Sequence, residues 1–397
     1  MRIDNRYLIF DDMSNSVELI NCRHLPDRFP LIFPGWQITE VSAGHASPVL
    51  SLRLVNNNYV LESDWLEKPA YRKNEDAVIC LLVAELMRAY VHEDRGLLCL
   101  HGAAAEFAGK LVLFPSNYRA GKSILSACLA ASGVRLFSDD VLPIRLLDAE
   151  GIAPGFAPRL RLPLPDNLGS ETREFIDKHN RLQGEQYLYL DLENDELAPR
   201  GFQLPVGAFI LLEREEGARP MFEIVSEAEV LRQVIWQNFA RETEAPKILG
   251  VLSELVAGAQ LFRLRYDRAE DAVRLLLEKF SDWSAQSGNR KHDVAMVDGQ
   301  TSVACHLLPG CYLRNPDISI VQIEDQMFLA DGQGATIHHL NPIGTAIWSL
   351  LAEPMTADEM TNLLMAAFPD HEPGSIESDL GSLIDELLSK NLLLAGS

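Results

Sequence analysis

Residues 101–144 constrain this chain more than any other stretch. Residues 111–114 are an apolar run of strand length, and a short turn leads from them to Ala120-Gly121-Lys122-Ser123. Apolar side chains at helical spacing follow, and a second strand-like run, 134–137, delivers Asp139 and Asp140. A strand that turns into a helix and returns as a strand leaves few architectures open, because each apolar face must be covered by the next element. The expected fold is an α/β domain whose alternation continues to about residue 280.

The same stretch carries chemistry. Backbone N–H groups at a turn and a helix start point at phosphate oxygens, and the helix N-terminus adds positive dipole. The pattern G-x-x-x-x-G-K-[ST] builds such a phosphate-binding P-loop. Here Ser116 stands at the first glycine position and Gly121, Lys122 and Ser123 fill the rest. The expected nucleotide segment is therefore Ser116, Asn117, Tyr118, Arg119, Ala120, Gly121, Lys122, Ser123 and Ile124, with ATP and Mg²⁺ as cofactors. Lys122 would reach the β/γ-phosphates, Ser123 would hold Mg²⁺, and an aspartate on the next strand would complete the metal shell. Arg159 and Arg161, two apart on an extended segment and so on one side of it, are candidates for neutralising phosphate charge.

Composition narrows the partners. With 57 acidic against 35 basic side chains, the net charge is −22. A nucleic-acid partner is disfavoured because phosphate-backbone binding needs a basic face, whereas ATP needs only a local positive pocket. No apolar run is long enough to span a membrane and no secretory leader is legible, so a cytoplasmic protein without a membrane partner is expected. Six scattered cysteines read as reduced thiols. Cys305-His306 with Cys311 lacks a matching pair for zinc, and His338-His339 sits in a β-pattern as a structural pair.

Residues 1–95 form short β-patterned runs, with a hairpin at Asn56-Asn57-Asn58 and a helix over 75–91, and read as a β-rich accessory region without chemistry of its own. Within the α/β domain at 96–280, residues 166–200 look like an inserted helix plus a strand over 186–192. Ser226 with Glu229 opens a helix through a capping box. Residues 281–300 are polar and aperiodic, a linker. Over 301–397, strand-like runs at 318–323, 327–330 and 335–340 precede three short amphipathic helices, the second opened by Thr356 and Glu359. That order suggests a small winged-helix-like α+β module. Its helices lack a basic recognition face, so strand addition by a peptide is the expected use rather than DNA.

Two resemblances follow from these residues. His101-Gly102, the strand, Ala120-Gly121-Lys122-Ser123 and then Ser138-Asp139-Asp140-Val141 resemble the HPr kinase/phosphorylase-like P-loop kinases, over about residues 96–280. The resemblance implies that His101 contacts the phosphate region and assists proton handling, that Asp139 is the base for an acceptor hydroxyl, and that Asp140 is a Mg²⁺ ligand. The chain departs from that family at Ser116 and at Tyr118-Arg119. The tail, with Asn315-Pro316-Asp317-Ile318 and the run from Leu340 through Asn341-Pro342-Ile343-Gly344 to Trp348, resembles PqqD-like modules. These bind the leader of a ribosomally made precursor peptide and present its core to a modifying enzyme. The implied docking strand is Met327, Phe328, Leu329 and Ala330. Together the resemblances imply an ATP-dependent kinase acting on a serine or threonine hydroxyl of a captured precursor peptide or small protein. It would work alongside other biosynthetic enzymes, with homo-oligomerisation open. The alternative is a catalytically weak or inactive nucleotide-binding scaffold that presents the peptide to a separate enzyme.

Overall fold

The structure, a computed structural model, describes residues 4–42, 48–115, 120–239, 244–283, 296–297, 307–331, 336–367 and 373–396. The chain divides into two bodies, Met1–Glu242 with Leu255–Arg290, and Thr243–Glu254 with Lys291–Ser397.

In the first body, alternation of apolar and polar residues produces a six-stranded sheet ordered Ile38–Val41, Asn5–Phe10, Ser16–Ile20, Pro48–Val55, Asn58–Ser63 and Ala70–Arg72. The expected hairpin is present: Asn56 and Asn57 take φ of 48° and 60°, a left-handed turn that asparagine tolerates better than most residues. Helix Glu75–Glu93 packs on this sheet, burying Val78, Leu82 and Leu86 completely. Each such burial is worth roughly 1.5–3 kcal/mol.

The second, nine-stranded sheet positions the site. Its central strand is Gln203–Arg214. Lys110–Phe114 and Gln260–Tyr266 both pair with it in parallel, and Glu150–Ile152 pairs antiparallel with its start. Ala103–Phe107 lies antiparallel to Lys110–Phe114 and carries Leu136–Ser138 on its other side. Leu97–His101 pairs with Val141–Arg145, which sets His101 opposite Val141. Helix Lys122–Ala131 buries Leu125, Cys128 and Leu129 in the core beneath it and packs against helices Ala269–Phe280 and Ser170–His179. A small sheet of Arg159–Arg161, Tyr187–Leu190 and Asn180–Gln183 completes the body, so the expected insertion folds as one helix and two strands.

Residues 1–95 belong to the same compact unit as the second sheet. The join is polar as well as apolar: Trp36 Nε1 donates to the Pro154 carbonyl at 2.8 Å, and the Arg200 guanidinium lies 3.7 Å from the Trp36 ring while pairing with Asp11 and Asp12. The expected linker at 281–300 also begins inside the core, where Trp283 is buried against Phe280 at 4.9 Å. Within that linker Met296–Val297 forms a strand pair with Ile318–Ile323, and 284–295 and 298–300 lie outside the described residues.

The second body has a four-stranded sheet ordered Met296–Val297, Ile318–Ile323, Gln326–Asp331 and Ile337–Leu340. Helices Pro342–Leu350, Ala357–Ala367 and Pro373–Ser389 cover it, and a three-stranded sheet holds Met355–Thr356, Cys311–Arg314 and Leu393–Ala395. The capping box forms as expected: Thr356 N donates to Glu359 Oε2 at 2.9 Å and Glu359 N to Thr356 Oγ1 at 3.3 Å. At the preceding helix, Asn341 Oδ1 accepts from Gly344 N at 2.8 Å and Pro342 takes the first turn, where no N–H is needed. Ile347 and Trp348 are core. The Leu340–Trp348 run that carries the resemblance is therefore a cap and a core stripe.

Candidate functional site

In the first body, the expected site residues that are described lie where the second sheet meets the start of helix Lys122–Ala131. Gly121 caps that helix with φ of +90°, in the left-handed region. A Cβ there would also stand 2.7 Å from Tyr266 Oη, which donates to the Ala120 carbonyl at 3.0 Å. Glycine is thus required twice, by conformation and by space. Lys122 is buried at the first helical position; burial pulls its amine below the usual value, and the nearby Asp140 and Asp139 charges pull the other way. Ser123 and Ile124 are half-buried on the same turn. Ser116, Asn117, Tyr118 and Arg119 lie outside the described residues.

The acidic pair is set by a local turn. Ser138 Oγ accepts from Asp140 N at 3.2 Å and from Val141 N at 3.0 Å, and Gly102 N donates to the Asp140 carbonyl at 2.8 Å. A Cβ on Gly102 would approach the Phe114 carbonyl oxygen at 3.1 Å, so the His101-Gly102 dipeptide lets that strand end pass close to the end of strand Lys110–Phe114. Asp139 is 6% exposed. Burial, and then the Asp140 charge, push its carboxyl up to about 6. Burial also raises Asp140, but the hydrogen bond from His101 and the charges of Arg159, His101 and Lys122 outweigh it and hold that carboxyl low. One carboxylate is thereby poised to exchange a proton near neutrality while its neighbour stays charged.

Arg159 does something other than wait for phosphate. Its backbone N donates to Asp139 Oδ2 at 3.0 Å, its Nη2 reaches Asp140 Oδ2 at 3.0 Å, and its Nη1 reaches Cys80 Sγ at 2.6 Å. Its guanidinium lies 4.9 Å from the Tyr187 ring. Arg161 shares that ring at 5.5 Å, as expected for residues two apart, but is exposed and donates to Tyr187 Oη at 3.2 Å. Asp140 Oδ1 meanwhile faces His101 Nε2 at 3.3 Å. Both oxygens of Asp140 are therefore engaged. Among the described residues no group of three or more His, Cys, Asp or Glu side chains is arranged to hold a metal ion. The Asp140 carboxylate expected to hold Mg²⁺ with Ser123 therefore already has His101 on one oxygen and Arg159 on the other.

Sequence reasoning missed the residues that the N-terminal region brings. Ile32 and Val83, with Phe156 and Tyr189, wall a cavity containing Asp139 and Asp140, and Cys80 touches Arg159 from the same helix as Val83. Tyr189 Oη is buried there beside Arg159. No motif marks these residues, because their relation to the aspartates is purely tertiary. Beside Gly121 a second cavity is lined by Ile124, Leu168, Arg214, Tyr266 and Glu270, at the C-terminal ends of parallel strands, where α/β sheets bind ligands.

In the second body, the expected docking strand needs correction. Gln326–Asp331 is paired on both sides, and Met327, Phe328, Leu329 and Ala330 are all buried. A strand with both edges occupied has no backbone groups to offer a peptide. The last strand in the order is Ile337–Leu340, and its His338 senses Lys390 and Glu386 at the end of helix Pro373–Ser389.

Residues 326–393 match the family model of Coenzyme PQQ synthesis protein D (PqqD), so this part of the second body is a PqqD domain. No curated protein matches the chain. Among the described residues no helix is long and apolar enough to cross a membrane.

Proposed function

We propose that this chain transfers the terminal phosphoryl group of a nucleoside triphosphate to a serine or threonine hydroxyl of a precursor peptide or small protein captured by its PqqD domain. The observation that carries this reading is the convergence of Lys122, at a glycine-capped helix start, with the buried Asp139 and the half-buried Asp140. Lys122 and the helix N-terminus would hold the phosphates. Asp139 would take the acceptor hydroxyl's proton as its oxygen bonds to the γ-phosphorus, and the bond to the departing diphosphate would break. His101 would keep Asp140 charged and oriented. Peptide capture along Ile337–Leu340 would raise the local concentration of the acceptor without any affinity for the hydroxyl itself.

The test is to incubate full-length protein, ATP and the candidate precursor and to weigh the peptide, with Asp139→Asn and Lys122→Ala alongside. A gain of one phosphoryl group that both substitutions abolish supports transfer. The engagement of both Asp140 oxygens favours a second reading, a nucleotide-binding scaffold that presents the peptide to a separate enzyme. Tight peptide binding and nucleotide binding with no mass gain would select that reading.

A further inference from the structure

We propose that Arg159 is the resident cation of the Asp139–Asp140 pair and excludes a divalent metal from it, so that the site takes a nucleoside triphosphate in metal-free form. The nucleotide clause rests on the phosphoryl-transfer reading; the exclusion of metal does not.

Arg159 is held at every point where it could be displaced. Strand pairing opposite Tyr189 fixes its backbone, and its own N–H is bonded to Asp139 Oδ2. Its side chain is 15% exposed, with one terminal nitrogen on Asp140 Oδ2, the other on Cys80 Sγ, and the guanidinium near the Tyr187 ring. Mg²⁺ demands near-octahedral oxygen ligands and gives up water reluctantly, so it needs carboxylate oxygens that face open space. Asp140 has neither of its two oxygens in that state, since His101 takes the first and Arg159 the second. A divalent ion placed there would also sit among Lys122, Arg159 and His101, all of which act electrostatically on Asp140. A guanidinium supplies what the metal would otherwise bring to the phosphates, namely fixed positive charge beside a carboxylate. The arginine comes with the fold and needs no ion from solution.

The experiment uses full-length wild-type protein, Arg159→Met and Arg159→Lys. Bound Mn²⁺ is read by electron paramagnetic resonance, and binding of a fluorescent ATP analogue is measured in Mg²⁺ and in EDTA. Wild type and Arg159→Lys are expected to hold no Mn²⁺ at the pair and to bind the analogue equally in both buffers. Arg159→Met frees Asp140 Oδ2 and is expected to gain Mn²⁺ affinity by at least about tenfold, a gain that Asp140→Asn in the same chain removes. Mn²⁺ bound by wild type and lost with Asp140→Asn would overturn the proposal. So would analogue binding that collapses in EDTA. If Arg159→Met fails to fold by circular dichroism, the wild-type measurements decide alone. No analogue binding in either buffer sinks the phosphoryl-transfer reading, and the Mn²⁺ result still decides whether Arg159 is the resident cation.

Discussion

Replacing Asp139 with asparagine should separate stability from chemistry. The carboxyl is buried and its pKa rises from 3.8 to about 6. At about 1.4 kcal/mol per pKa unit, that difference corresponds to roughly 3 kcal/mol. The sign follows from linkage. A carboxyl with a raised folded-state pKa contributes fully to stability below its unfolded value near 3.8, and the contribution is lost as pH rises through about 6. Wild type therefore carries a buried charge at neutral pH that the isosteric amide does not, while the amide oxygen still accepts from Arg159 N. The asparagine variant should gain on wild type between about pH 4.5 and about pH 8 by roughly 2 kcal/mol, since part of the contribution is already lost at the lower pH. For a body of this size that is on the order of 6 °C in melting temperature. Scanning calorimetry of both proteins at the two pH values measures it, and a mass assay of the peptide should show transfer abolished. A melting-temperature difference that does not change with pH would refute the reasoning, as would a variant less stable at the higher pH.

Gly121→Ala must accept φ of +90° and a Cβ 2.7 Å from Tyr266 Oη, so it should cost about 1–3 kcal/mol and weaken nucleotide binding; denaturant melts and nucleotide titration read the two effects. Lys122→Ala removes a buried amine and should leave the melting temperature near wild type while reducing phosphoryl transfer at least about 100-fold, as followed by peptide mass. In the PqqD domain, Ile337→Pro should weaken capture of a leader peptide in fluorescence anisotropy with little loss of fold, because its strand is the last in the sheet. Met327→Ala, in the buried central strand, should instead lower stability by about 2–4 kcal/mol.

Local chemistry was legible in the sequence and tertiary placement was not. The strand at 111–114, the helix after Gly121 and the strand ahead of Asp139 were readable because period and turn residues are set within a few positions. The same holds for the Asn56-Asn57 hairpin and the Thr356–Glu359 box. The partners of Arg159 were not legible because strand spacing says which side a residue faces and not what lies there. Asp140 is nineteen residues away in sequence and Cys80 seventy-nine, and both touch it. The docking strand was misplaced for a related reason. Met327–Ala330 has the apolar pattern of a strand, but nothing in that pattern tells an edge from a centre until the partners on both sides are known. Trp283 looked like linker because its neighbours are polar, and a single aromatic carries no period.

The Ile32 and Val83 walls and the Arg200 clamp bear on how these modules travel. A designer transplanting the part that carries Asp139 and Asp140 onto another domain would be tempted to cut at residue 96, where the β-rich region ends. That cut would strip the cavity of two of its walls, leave Trp36 behind and strand Arg200 without Asp11 and Asp12. The portable cassette begins with the N-terminal sheet, which therefore has to move with the aspartates as one inherited piece.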